Sequence, residues 1–206
     1  MKKKLYKLVC FLKFNKKIEK EVLNLKSLVK KKFGKQIYLD HQVHLTLFTF
    51  KTRHLKEINS LYKKLNFTEK KNQNLNITIN KTNIFYNDPL TKGHTIYFEI
   101  KKNLHLNLLQ QKHLKILLKY IFIDKKDLKK FKDDWMKKNF LKYGFPFVGN
   151  KWIPHVTVSS LSKVKKNHKF IKFFLKKKIS FKDKIKEIKF YEIQKNQHKF
   201  LFRSKL

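Results

Sequence analysis

The sequence predicts an α+β protein built from two related lobes. Three observations carry this. Short apolar segments of period two alternate with longer segments of helical period. The order strand, helix, strand, helix, two strands is followed by helices, strand, helix, two strands, so a similar series recurs in each half. No Gly-, Pro- or Ser-rich stretch separates the halves. With only four Gly and three Pro in 206 residues, they are expected to form one bilobal unit over residues 1–206.

Residues 4–12 are short, apolar and bounded by charge, as a buried first strand should be. Lys2, Lys3 and Lys4 imitate the start of a secretory signal, but Lys7 and Lys13 interrupt the apolar run and no small-residue cleavage site follows. Residues 16–33 place Ile18, Val22, Leu25, Val29 and Phe33 at helical steps, and Gly34 falls where a C-cap belongs. Residues 42–50 alternate, with Val43, Leu45 and Leu47 facing one way and His44, Thr46, Phe48 and Phe50 the other. A lysine-rich helix is expected over 53–65, strands over 74–86 and 94–101, and helices over 104–121 and 126–140. Gly144, Pro146, Gly149, Asn150 and Pro154 make 143–154 a loop that delivers a strand at 153–159. A helix near 163–177 and strands near 186–194 and 198–204 close the chain.

Composition removes several classes. Hydrophobic residues at 41% and aromatics at 15% exclude a disordered tail. The single Cys10 excludes a disulfide scaffold and a multi-cysteine zinc module. No apolar run approaches the ~20 residues that span a bilayer. The formal net charge is +38, from 52 basic against 14 acidic residues, and only Arg53 and Arg203 are arginines. An AT-rich coding sequence fills solvent faces with Lys, Asn, Ile and Phe. A lysine field still attracts polyanions whatever its origin. Lysines act as point charges and lack the rigid fork that reads guanine edges, so any nucleic-acid contact is expected to be weakly sequence-specific.

One pattern occurs twice: Val43-His44-Leu45-Thr46-Leu47 and Pro154-His155-Val156-Thr157-Val158. Nine His and nine Thr scattered at random would give roughly 0.4 His-x-Thr matches. Two matches with apolar flanks, in strand contexts in opposite halves, exceed that expectation. On a strand, His and Thr of each copy share one face, and the apolar residues between and beside them point to the core. Two imidazoles can divide the work of opening a phosphodiester, one activating water and one protonating the leaving ribose oxygen. The threonine hydroxyls can donate to nonbridging oxygens as charge builds there.

Two His-x-Thr strands about 110 residues apart, in a chain of this size, resemble the two-histidine (2H) phosphoesterase superfamily, which includes the LigT-like RNA 2′,3′-cyclic phosphodiesterases, once called 2′-5′ RNA ligases. The run Trp152-Ile153-Pro154-His155 strengthens the match of the second copy. The resemblance implies two pseudo-symmetric lobes, with antiparallel sheets flanking a central cleft and helices on the outside. It implies catalysis without metal or cofactor, His44 and His155 as the catalytic pair, and Thr46 and Thr157 holding phosphate oxygens. The expected substrate is RNA or a nucleotide with a cyclic or 2′-linked phosphate. The protein is expected to be a cytoplasmic monomer with no membrane contact and no obligatory protein partner. Alternatives are a 2′-5′ oligoadenylate or cyclic dinucleotide signal on the same residues, a non-catalytic basic RNA-binding protein, and a basic ribosome-associated structural protein.

Tyr143, Phe145, Phe147 and Trp152, before the second motif, and Tyr191, in a late strand, are candidates for stacking a base. His41 precedes His44 by three, which on a strand puts the two on opposite faces, so a metal pair is not expected. The other histidines lack motif context and are expected at the surface or in packing roles, Asp133 and Asp134 are expected to balance local lysines, and Cys10 to be buried and inert. The paired imidazoles predict a bell-shaped rate profile near neutral pH. Turnover is expected to persist in excess EDTA. Loss on chelation with recovery on adding Mn²⁺ would overturn the metal-free mechanism.

Overall fold

The computed structural model describes residues 4–68, 75–194 and 197–206; the predicted start of a strand at 74, and Lys2 and Lys3, lie outside them. Five α-helices and eight strands are present among the described residues. In chain order these are β1 (Tyr6–Leu12), α1 (Lys16–Phe33), β2 (Leu45–Thr52), α2 (Leu55–Thr68), β3 (Leu75–Phe85), β4 (His94–Ile100), α3 (Leu104–Leu117), α4 (Asp134–Tyr143), β5 (His155–Leu161), α5 (Lys169–Lys176), β6 (Phe181–Ile185), β7 (Glu187–Gln194) and β8 (Gln197–Lys205). The strands form one curled, antiparallel sheet in the order β6-β3-β4-β5-β2-β1-β7-β8.

The two expected lobes are therefore the two halves of a continuous sheet, β6-β3-β4-β5 and β2-β1-β7-β8. They meet where β2 pairs with β5 through Leu45 and Val156. Helices cover one face. α1 packs on β5, although it connects β1 to β2, and α3 packs on β2, although it connects β4 towards β5. Each of these helices thus crosses to the other half and clamps the seam.

Local sequence explains the clamp. Both helices begin three residues after a strand, at Asn15 and Asn103. Each asparagine side chain accepts a hydrogen bond from the third residue on, Ile18 N at 3.0 Å and Leu106 N at 2.7 Å. Ile18, Val22, Leu25 and Val29 of the predicted α1 stripe are buried, Phe33 is half-buried, and Gly34 caps the helix at φ 69°. Leu8, Cys10, Leu12, Val43, Leu45, Leu47, Val156 and Val158 meet the helices in the main core. Cys10 is fully buried, and burial pushes its thiol well above the ordinary range.

Five expectations need correction. Phe48 and Phe50, expected on the face of His44 and Thr46, lie in the main core across from Cys10 and Leu8, because the β1–β2 register skips a residue after Thr46 and reverses the alternation. The 126–140 helix divides into a 3₁₀ turn, Lys125–Lys130, and α4. Asp124 caps the turn by accepting from Lys126 N, and Asp134 opens α4 while pairing with Lys137 at 3.0 Å. The 104–121 helix ends at Leu117 in a 3₁₀ turn. The helix expected at 163–177 starts at Lys169, where His168 caps it by accepting from Phe170 N. β6 was missed because Phe181-Lys-Asp-Lys-Ile185 alternates with charge, which suits an unpaired sheet edge. β8 forms the other edge, with Lys199, Arg203 and Lys205 among its residues.

Gln110 on α3 is fully buried. Its amide donates to Leu47 O at 2.7 Å and Phe147 O at 3.1 Å, and its oxygen accepts from Gly149 N at 3.3 Å. One side chain thus ties α3 to β2 and to the loop before the second motif. Gln110→Ala leaves three polar groups unpartnered and is expected to cost about 2–4 kcal/mol. Calorimetry should show Tm lower by roughly 5–10 °C; an unchanged Tm would show that these bonds add nothing.

Candidate active site

The two His-x-Thr segments lie side by side at the seam. Counted outward from the Leu45–Val156 pair, His44 stands across from Thr157 and Thr46 across from His155. Leu45, Leu47, Val156 and Val158 are buried beneath the helices, whereas the two histidines and two threonines are half-buried on the opposite, open face. His44 immediately precedes β2 instead of lying within it, a shift from the predicted 42–50 strand. The two histidines occupy diagonal positions, a placement that sets residues ~7–8 Å apart in an antiparallel pair, with their Cβ atoms somewhat closer.

A shared irregularity frames each motif. In the β1–β2 ladder the register skips Leu47, and in the β4–β5 ladder it skips Val158. Both skipped residues directly follow the motif threonine. A bulge of this kind bends the strand and re-aims neighbouring side chains. The carbonyl of Leu47 is the one taken by Gln110.

The histidine rings are fixed in the same way. His44 Nδ1 lies 2.7 Å from Gln42 O, and His155 Nδ1 lies 2.7 Å from Ile153 O. A carbonyl only accepts, so Nδ1 carries the proton in both rings and Nε2 is left as the basic nitrogen. Each ring also meets aromatic side chains at matching positions. Phe11, paired with Thr46, stacks on His44 at 3.5 Å, and Tyr191 tilts against Phe11 at 5.1 Å. Tyr97, paired with Thr157, tilts against His155 at 5.0 Å, and Phe85 stacks on Tyr97 at 4.2 Å while meeting His155 edge-on at 5.2 Å. The half-turn relation therefore extends over eight side chains.

Charge breaks the symmetry. Burial pushes His44 well below the ordinary histidine value; the Gln42 carbonyl resists, and His198, His41 and Lys26 add to the fall. Burial also lowers His155, but there the Ile153 carbonyl, Asp88 and Glu99 all resist. Glu99 stands across from His155 in the β4–β5 ladder and accepts from Asn83 Nδ2 at 2.7 Å. Asp88 is held in the β3–β4 turn by Thr95 Oγ1 at 2.6 Å and Leu90 N at 2.9 Å. His44 is the harder ring to protonate and His155 the easier.

Of the five aromatic candidates, Tyr191 lies at this face, where its side chain bonds to Gln42 and its ring meets His198. Phe145 and Trp152 are 8% and 3% exposed in the main core, which leaves little ring surface for a base. Tyr143 and Phe147 pack against that core. Sequence reasoning missed Phe11, Phe85 and Tyr97, because period-two patterning marks their strands but not their register against the motifs. His198, expected at the surface or in a packing role, lies 5.7 Å from His44 between ring centroids. A surface depression of about 400 Å³ between Asn15, Thr78 and Asp183 involves none of these residues. Among the described residues no cluster of three or more His, Cys, Asp or Glu could hold a metal ion, and no helix is long and apolar enough to cross a membrane.

The chain shares its fold with E. coli LigT and other solved phosphoesterases. The chain is similar in structure to TT0787 of Thermus thermophilus, at 12% identity, 97% coverage of each chain and a TM-score of 0.63. It is also similar to E. coli LigT in its apo form, at 10% identity, 98% coverage of each chain and a TM-score of 0.55. A further solved phosphoesterase matches at 12% identity, covering 98% of this chain and 99% of its own, with a TM-score of 0.55. Complexes of E. coli LigT with ATP, with 3′-AMP and with NADP+ each match at 11% identity, 98% coverage of this chain and 99% of that one, and a TM-score of 0.52. No protein-family model matches the sequence, and no curated protein matches it significantly.

Proposed function

We propose that the chain is a metal-independent phosphodiesterase that hydrolyses 2′,3′-cyclic or 2′,5′-linked phosphodiesters of RNA or nucleotides. The observation that carries this reading is the pair of imidazoles at the seam between β2 and β5, each with Nδ1 locked to a carbonyl and Nε2 left for chemistry. The nucleotide complexes of E. coli LigT support a nucleotide as the ligand class.

His44, the harder ring to protonate, is the base, and His155 is the acid. Water attacks phosphorus and forms a new P–O bond while its proton passes to His44 Nε2. The P–O bond to the ribose oxygen breaks on the opposite side, and that oxygen takes the proton from Nε2 of protonated His155. Exchange with solvent then returns one proton to His155 and removes one from His44. Thr46 and Thr157, each across from the other motif's histidine, donate to the nonbridging oxygens as their charge rises.

His44→Ala and His155→Ala are each expected to lower kcat by about 10²–10⁴. Salt-dependent RNA binding should survive in both, since the lysine field is untouched. A panel of 2′,3′-cyclic nucleotides, 2′-5′ oligoadenylate and mixed-linkage cyclic dinucleotides checks this and identifies the substrate. No turnover in any arm, with RNA binding intact, would replace the enzyme by a basic RNA-binding protein.

The pH profile follows from the two rings. The base must be neutral and the acid protonated, so activity spans the interval between their pKa values. Both lie below the ordinary histidine value, His44 further, so the kcat/KM optimum is expected on the acid side of about 6.5. Bound phosphodiester favours the imidazolium, so the alkaline limb of kcat should lie higher than that of kcat/KM. Glu99→Gln removes a charge that raises His155 and should move the alkaline limb to lower pH. A limb unmoved in that variant would count against His155 as the acid.

A further inference from the structure

We propose that His41 and His198 form a subsite for a second phosphate of the substrate, one step outward from His44 along the open face. The inference rests on the phosphodiesterase reading above. The two rings come from separate elements: His41 from the loop between α1 and β2, and His198 from β8. Their centroids are 4.9 Å apart, and His198 lies 5.7 Å from His44. Both are held in advance. His198 meets Phe11 edge-on at 4.9 Å, and His41 meets Tyr38 edge-on at 5.1 Å.

The loop that carries His41 is pinned from below. Lys26 of α1 is only 5% exposed, and its ammonium donates to Tyr38 O at 2.7 Å, to Leu39 O at 3.3 Å and to His41 O. That pinning holds Tyr38 at φ 71° and presents the His41 ring to the face. Burial brings the Lys26 ammonium down to about 8, with Asp40 resisting, so it remains cationic at neutral pH.

The charged and titratable groups around the pair are Lys26 from α1, Asp40 in the same loop, His44 ahead of β2, and Tyr191, Lys189 and Glu187 from β7. Lys189 is paired with Glu187 at 2.7 Å, so the attraction for an anion comes from Lys26 and the rings themselves. Of the two rings, Asp40 resists the fall of His41 alone, and burial and His41 bring His198 down to about 4. Neutral and closely packed, each ring offers one N–H, and an arriving anion supplies the countercharge that lets the rings protonate. The three imidazoles do not form a metal-holding group. The other half provides the contrast. Around His155 stand Asp88, Glu99 and two aromatic rings, which repel a second phosphate there and favour an uncharged nucleoside. The second phosphate is therefore placed on the His44 side of the site, not on the His155 side.

The test compares kcat/KM of the full chain on three substrates: 2′,3′-cyclic AMP, the same nucleotide with a 5′-phosphate, and a dinucleotide ending in the cyclic phosphate. At least one of the two-phosphate substrates should be preferred by about tenfold or more, and whichever arm shows it distinguishes a terminal phosphate from an internal linkage. His198→Ala and His41→Ala should reduce that ratio to near one, acting through KM, and His198→Lys should restore part of it. Taking the ratio within each variant cancels differences in folded fraction. Turnover of all three substrates with no preference in the wild type, or a preference intact in both alanine variants, overturns the subsite and leaves the phosphodiesterase reading standing. A second readout needs no activity: inorganic pyrophosphate should raise the apparent pKa of His198, followed through its ring proton by NMR in His44→Ala. No response at saturating pyrophosphate overturns the subsite, and a response without turnover of any substrate overturns the phosphodiesterase reading alone.

Discussion

The two halves of the sheet touch through the Leu45–Val156 pair, and the geometry of the site depends on it. Two strands that failed to meet would leave the histidines on separate surfaces. The short contact holds His44, Thr46, His155 and Thr157 on one face while the strands diverge on either side. α1 and α3, each crossing to the opposite half, supply the apolar contact that so short a ladder lacks. Gln110 supplies the polar part by taking the Leu47 carbonyl that the bulge leaves out of the ladder.

The same half-turn relation governs backbone and rings and then stops at charge. The bulges at Leu47 and Val158, the Nδ1 locks and the flanking aromatics all repeat. The surrounding ionisable groups do not: one side collects imidazoles above a buried lysine, and the other collects two carboxylates. A symmetric frame suits a reaction in which attacking and leaving oxygens lie opposite each other, and an asymmetric field lets otherwise equivalent groups take different roles. The shared fold coexists with only 12% identity to TT0787, so the frame tolerates wide change along the chain.

Much of this was legible along the chain. Period-two patterning placed Leu45, Leu47, Val156 and Val158 in the core and the motif residues opposite, and the α1 stripe and Gly34 cap came from local rules. What stayed hidden is nonlocal. Phe11, Tyr97 and Phe85 reach the histidines through strand register, and His198 arrives from a hairpin near the far end of the chain. Phe145 and Trp152 looked available for stacking because their loop is rich in turn residues. The loop folds inward, held by Gln110, and its rings fill the core. β6 was unreadable for the opposite reason: its sequence is shaped to discourage partners.

That last trait applies at both ends of the sheet. An open antiparallel sheet offers two rows of unused amide and carbonyl groups, and a second copy of the chain is the most abundant strand available to fill them. Lys182 and Lys184 on one border, and Lys199, Arg203 and Lys205 on the other, make that approach repulsive. Positive charge at both borders thus sets an electrostatic cost on continuing one molecule's sheet into the next.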